Sequence, residues 1–454
     1  MIKSFSLILV GALALTGCAM MPDYERPESP VPAAFPSSTA TNESRSAEVS
    51  WTNFFSDERL QQLIGLALSN NSDFRVAVLN VEQSRAQYRV SRSSLYPSAN
   101  ASGGYQRSGN FHTASEQWSA SLGSTAYELD LFGRVRSLNR QALEKYFATV
   151  EGRRGARVTL VSEVATEYLT LRQTEEQIEL AKETLKTVQD SYDLNKATFD
   201  AGASSELDMR TAEGQVQSAK ISLLSYQRSK AEAENYLALL LGQPLPTNLP
   251  PSRPFDSHLL AEVPAGLPSE LITRRPDILQ SEHTLKAANA NIGAMRAAFF
   301  PTISLTASVG TSSVEFQKLF GSGTGVWSFS PQVTVPLFTA GQNKANLDSA
   351  KISVQIEVEN YKKAIETAFR EVSDSLVDGS SYSKQIEEEQ VLIATQQRRY
   401  ELANERYRQG EDTYLNVLSA QQNLYSARQE LLQARFQHLS SRISLYKALG
   451  GGWN

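Results

Sequence analysis

Two kinds of hydrophobic pattern alternate along the chain, and the first has a period of two. Ile303, Leu305, Ala307 and Val309 alternate with Thr302, Ser304, Thr306 and Ser308; after a Gly/Ser-rich loop, Trp327, Phe329, Val333, Val335 and Leu337 alternate with Ser328, Ser330, Gln332 and Thr334. Successive side chains of a strand point to opposite faces, so these segments predict a hairpin over about 301–338 with one apolar and one polar face. A weaker copy sets Ala99, Ala101 and Tyr105 on one arm and Trp118, Ala120 and Leu122 against Ser119, Ser121 and Gly123 on the other, predicting a hairpin over about 97–131. Roughly ten residues of alternation is the length a tilted strand needs to cross a bilayer. A soluble β-sandwich alternates in the same way, and the period alone does not separate the two.

The second pattern is helical and long. No proline occurs from Arg134 to Asp200 or from Gln342 to Gln409, and Ile178, Ala181, Leu185, Val188 and Tyr192 follow one another at steps of 3 and 4, a narrow coiled-coil seam. At about 1.5 Å per residue such a helix reaches on the order of 100 Å. Returning segments, Ser205 to Leu241 and Thr413 to Leu449, end in Gly242 and Gly450, the residue type expected just past a helix C-terminus. Gly202 and Gly410 then mark the turns of two helical hairpins, over about 134–241 and 341–449. Shorter helices are expected at Glu58 to Ser69, Ser72 to Ser94 and Pro276 to Ala298.

The two patterns occur twice. Phe199 and Tyr407, Gly202 and Gly410, Leu207 and Leu415, Ala212 and Ala420, Ala219 and Ala427, and Gly242 and Gly450 are all separated by 208 positions. The body divides into one repeat over 51–250 and a second over 251–454.

Charge and composition narrow the function. The 454 residues carry 44 basic and 49 acidic side chains, a net charge of -5, so no basic footprint for nucleic acid exists. One cysteine excludes an intrachain disulfide framework and a cysteine-based zinc knuckle, and the four histidines stand in no metal-ligand spacing, so neither a metal site nor a cofactor is expected. Gly321, Gly323 and Gly325 lie between strands with no helix following, which makes them a hairpin loop rather than a phosphate cradle. No constellation of an enzyme is present. That one cysteine, Cys18, follows an apolar run too short to span a bilayer, Phe5 to Leu15, which matches a secretory signal over 1–17. Leu15-Thr16-Gly17-Cys18 resembles the lipobox of bacterial lipoproteins, which implies acylation of Cys18; Ala19 after it favours the outer membrane. Pro22, Pro27, Pro30, Pro32 and Pro36 make 18–50 an extended, irregular linker.

Four strands cannot close a barrel, and lipid does not tolerate open sheet edges. If the strands face lipid, several chains share one barrel, while the polar faces of the long helices require water. The stretches PDYERPESP, YELDLFGRVRS, RRPDILQSEHTLKAANANIGAMRAAFFPTISLTASVG and LYKALGGGWN resemble the outer membrane factor family (TolC/OprM-like), in the lipoprotein branch serving resistance-nodulation-division efflux pumps. The resemblance implies an α+β membrane protein of two repeats, each a β-hairpin plus a long coiled-coil helical hairpin. Three copies would form a twelve-stranded β-barrel and a twelve-helix α-barrel. Implied partners are a periplasmic adaptor, an inner-membrane resistance-nodulation-division transporter and the outer-membrane lipid that receives the acyl anchor.

The family's periplasmic gate is the tip of the helical hairpins. By that resemblance Leu415 is a constricting apolar ring, and Asp208 ties neighbouring hairpins together with Arg406 and Tyr407 as its partners. Where some members carry two acidic residues, this chain has Asn416 and Ser419, which line the pore without charge; Asp412 and Glu411 substitute in part. The expected function is the exit duct for drugs and other small toxic compounds. Outer channels for metal-ion efflux or type I secretion, and a structural periplasmic spacer, are the alternatives.

Overall fold

The computed structural model describes residues 20–35, 50–261 and 268–451. The signal segment, its Leu15, Thr16 and Gly17, and Cys18 lie outside the described residues. The elements are α1 (Trp51–Phe54), α2 (Glu58–Asn70), α3 (Ser72–Ser93), β1 (Asn100–Gly109), β2 (Ala114–Leu129), α4 (Arg134–Asp200), α5 (Glu206–Leu241), α6 (Pro268–Arg274), α7 (Pro276–Ala297), β3 (Thr302–Ser313), β4 (Gly325–Thr334), α8 (Gln342–Arg408) and α9 (Tyr414–Ala448). Two strands, a helix of 67 residues and a helix of 36 or 35 residues thus follow one another twice. Among the described residues no helix is long and apolar enough to cross a membrane. Two short helices, α1 and α6, depart from the expectation, and β4 stops at Thr334, so Val335 and Leu337 fall beyond the strand. The chain divides into two compact units, one within 1–29, 79–151 and 277–364, the other within 30–78, 152–276 and 365–454.

The first unit holds one antiparallel sheet in the order β1-β2-β3-β4, with β1 and β4 as its edges. Register places Tyr105 opposite Trp118, Leu122 opposite Val309, and Val309 opposite Trp327, so these apolar side chains share one face. That face is uncovered in the single chain: Trp327 is 80% exposed. The other face carries rungs of hydroxyls, Ser102 to Ser121 at 2.9 Å and Ser308 to Ser328 at 2.8 Å. A bulge between Ser124 and Tyr127 explains why the first hairpin alternates weakly. The extra residue there, with Ala126 at a φ of 52°, returns Tyr127 and Leu129 to the apolar face, opposite Leu305 and Ile303.

The same unit straps the start of the described chain onto α7. Arg26 grips the Glu282 carboxylate with three hydrogen bonds of 3.2, 3.0 and 2.9 Å, Tyr24 donates to it at 3.2 Å, and Lys286 pairs with it at 3.0 Å. Asn289 and Arg296 donate to the carbonyls of Pro22 and Met20. Gly293 permits the approach, since a Cβ there would lie 2.9 Å from the Met21 backbone. Residues 20–26 of the expected linker are therefore docked on α7. Burial pushes the Glu282 carboxyl up, yet Lys286 and Arg26 outweigh it and hold it below the ordinary carboxylate range. A depressed pKa makes the strap's stability complete above the unfolded value and lost as pH falls through the folded one. NMR order parameters at Tyr24 to Arg26 are expected to stay high from neutral pH down to about 4.5 and to fall below it.

The second unit is built around a core in which Phe54, Phe55, Leu63 and Ile64 meet Val164, Leu169, Leu237, Leu241 and Ile443. Phe54 stacks on Tyr446 with ring centroids 4.4 Å apart. Asp57, buried, caps α2 by accepting the Arg59 N–H at 2.8 Å and accepts the Tyr168 hydroxyl at 2.7 Å. Burial pushes the Tyr168 hydroxyl up, so it is a donor at every physiological pH. Tyr168→Phe strips a buried carboxylate of its donor and is expected to destabilise the unit by about 1–3 kcal/mol, read as a lowered urea midpoint with unchanged slope.

Candidate functional site

Both helical-hairpin tips lie in the second unit and share one construction. Helix α4 ends with the Gly202 N–H on the Phe199 carbonyl and the Ala203 N–H on the Thr198 carbonyl, each at 2.8 Å. Helix α8 ends with the Gly410 N–H on the Tyr407 carbonyl and the Glu411 N–H on the Arg406 carbonyl, each at 3.0 Å. This paired closure needs a left-handed residue, and the φ angles of 74° at Gly202 and 77° at Gly410 supply it without a Cβ penalty.

The returning helices start differently. Ser205 caps α5 by accepting the Asp208 N–H at 3.1 Å, and its hydroxyl donates to the Asp208 carboxylate at 2.7 Å. Thr413 offers α9 no side-chain cap; Asp412 takes that place, accepting the Thr413 N–H at 2.8 Å and the Asn416 amide at 2.6 Å. These two bonds, with Arg406 at 3.7 Å, hold the Asp412 carboxyl below its ordinary range. Inside one chain the structure thus brings Arg406 to Asp412, while the hydrogen bonds of Asp208 go to Ser205.

Tyr407 links the hairpins by another route. Its hydroxyl donates to the Asn195 side-chain oxygen at 2.8 Å, and Asn195, fully buried, turns its amide to the Ser191 carbonyl at 2.8 Å. Burial, with the Asp208 charge behind it, pushes the Tyr407 hydroxyl up. Beneath lies a small core of Ala212, Tyr414, Val417 and Leu418 packed by Tyr192 and Tyr400, where burial among tyrosines takes the Tyr414 hydroxyl up to about 12. Sequence reasoning missed Asn195, although a signal existed: it continues the seam after Val188 and Tyr192 at steps of 4 and 3, a polar residue at an apolar position.

Leu415 does not join that core. It is 66% exposed, and its counterpart Leu207 is 75% exposed. Asn416 is exposed beside it and Ser419 half-buried. Each tip therefore offers a leucine to solvent from the first turn of its returning helix. Among the described residues no group of His, Cys, Asp and Glu could hold a metal.

The model of the outer membrane efflux protein family matches residues 63–243 and 267–451. The chain belongs to that family. A probable efflux pump outer membrane protein of Pseudomonas putida, TtgC, is 46% identical over the whole chain and 96% of its own length. The cation efflux system protein CusC of Escherichia coli is 40% identical over 97% of each. Among solved structures, the open Neisseria gonorrhoeae MtrE outer membrane channel superposes with a TM-score of 0.90 at 40% identity, covering 96% of this chain and 99% of that one. The Campylobacter jejuni CmeC outer membrane channel superposes at 0.87 with 27% identity, covering 96% and 95%. The family member described here is accordingly an outer-membrane efflux channel component with mixed helices and strands, a conduit and not an enzyme. A periplasmic spacer is thereby set aside.

Proposed function

We propose that three copies of this chain close one twelve-stranded barrel in the outer membrane and one twelve-helix tube below it, the exit duct of a tripartite resistance-nodulation-division pump. The observation that carries this reading is the sheet: four antiparallel strands with two unpaired edges, one apolar face and one hydroxyl face. Unpaired edges are untenable in lipid. With an even number of strands, β4 of one copy runs antiparallel to β1 of the next, so any whole number of copies closes without a mismatch. In such a barrel Trp327, Phe329 and Val333 meet lipid, and Ser119, Ser121, Thr306 and Ser308 line the lumen. Between the Glu128–Ser304 pair and the hairpin loops that lumen face carries no ionisable side chain, which suits a passage that must not retain its cargo.

The repeats at 51–250 and 251–454 each give the ring one strand hairpin and one helical hairpin. Leu415 narrows the periplasmic entrance, with Asn416 and Ser419 as uncharged lining, and Asp208, Arg406, Tyr407 and Asp412 holding the tips. Cleavage after residue 17 and acylation of Cys18 anchor each copy in the inner leaflet of the outer membrane. Arg296 holding the Met20 carbonyl at 3.2 Å supports that reading, because it brings residue 20 to the α7-to-β3 junction. Partners are a periplasmic adaptor and an inner-membrane transporter; the cargo is drugs and other small toxic compounds.

A second reading, metal-ion export, is favoured by the 40% identity to a cation efflux protein. Deleting the gene and measuring a fluorescent efflux substrate and intracellular metal decides between them. Accumulation of the dye to the level of cells with a collapsed proton gradient is the expected result. Accumulation of metal alone, in a strain lacking redundant outer channels, would assign the chain to cation export.

A further inference from the structure

About 10–15 Å of helix behind the second tip, the seam between the hairpins is not fully packed, and one side chain there is anomalous. Gln421 on α9 is 7% exposed, and neither its amide nitrogen nor its amide oxygen has a hydrogen-bond partner among the described residues. An amide offers two donors and an acceptor, so this is a buried group whose whole capacity is unspent. Its neighbours are paired: Gln422 with Gln215 at 3.2 Å, Gln433 with Gln173 at 2.7 Å, and Gln429 with the Tyr425 hydroxyl at 2.7 Å. Gln421 lines two cavities. One, of about 100 Å³, lies among α4, α5 and α9, walled by Ala181, Val188, Ala219 and Leu418 and by no charged side chain. The other, of about 190 Å³, lies among α4, α8 and α9, and its only charges, Glu183 and Arg428, stand 3.5 Å apart as a pair.

We propose that Gln421 marks an internal binding site for a small neutral molecule carrying one hydroxyl or amide group on an apolar body. Walls without charge disfavour ions, because the hydroxyl and amide groups that also line the space offer no counter-charge. The single unspent amide fits one polar group, and the alanine, valine and leucine walls fit the rest. Size sets a limit as well: a cavity of roughly 150 Å³ admits benzene, so about 100 Å³ admits only a smaller body. The unspent amide belongs to the second hairpin alone: 208 positions earlier the residue is Glu213, which reaches Arg210 at 2.9 Å. A bound molecule touches helices of both hairpins six residues from Leu415, so, if the channel reading holds, occupancy biases the tips.

Fluorine NMR of 2,2,2-trifluoroethanol with the purified full-length assembly tests the site without measuring transport, so its outcome is independent of the channel reading. Saturable broadening that ethanol reverses is expected. Gln421→Leu, which removes the amide, is expected to weaken binding about tenfold, the change that loss of one hydrogen bond of about 1.4 kcal/mol gives. Ala219→Leu keeps the amide but fills the apolar end, and is expected to abolish binding; it decides the matter should the first variant fail to fold. No saturable signal from the unaltered protein, equal binding by all three proteins, or water alone at the amide in an ethanol-soaked crystal overturns the proposal.

Discussion

Gly310→Val leaves the chain unable to form its sheet, and the high-molecular-weight oligomer is lost from unheated gels of outer membranes. A Cβ at Gly310 would stand 2.2 Å from the Ala120 carbonyl oxygen and 2.6 Å from the Ser121 Cα, atoms of the neighbouring backbone that no rotamer change can move. Overpacking costs typically about 1–3 kcal/mol and more where backbone must shift. A closed ring incurs that cost once per copy. Gly325→Val is the control, because a Cβ there meets nothing within 4 Å. An oligomer that survives Gly310→Val would show that β2 and β3 do not pair in the membrane as they do here.

Leu415→Ser is expected to open the duct. The side chain packs against nothing that its loss would loosen, being exposed in the first turn of α9 while Tyr414 and Val417 on either side are buried. Stability should therefore change by less than about 0.5 kcal/mol. Conductance should not stay constant. An apolar ring blocks water and ions by dewetting, and removing about 1.4 kcal/mol of barrier gives a tenfold rise. Single-channel recording in planar bilayers reads this directly, with Leu207→Ser as the comparison from the other hairpin. Equal conductance of Leu415→Ser and the unaltered channel would move the constriction elsewhere on the tip.

How much of this was legible in the sequence follows the range of the forces involved. Helix ends are set locally, so proline-free runs and terminal glycines place α4, α5, α8 and α9 within a residue or so of their ends in the structure. Strand faces are also local, and β3 and β4 follow their alternation. β2 follows its alternation from Trp118 to Gly123 and departs from it only after Ser124, because the bulge before Tyr127 depends on what β3 presents opposite it. Partners chosen across space were the least legible. Asp208 and Asp412 are both acids just past a turn glycine, yet one serves a serine cap and the other replaces a cap, a difference made by Ser205 against Thr413. Gln421 and Gln422 are adjacent and identical in type; only packing decides which of them is buried without a partner.

The strap on α7 sets an order of events during biogenesis. Arg26 and Glu282 are 256 positions apart, one of the longest loops the fold closes. Closing a long loop is entropically expensive and is repaid only once its contacts exist, so long-range contacts form late. A chain that crosses the inner membrane amino terminus first exposes Tyr24 and Arg26 well before α7 follows. The leading end therefore stays undocked until more than half of the polypeptide has arrived, and chains lost before that point never fasten it.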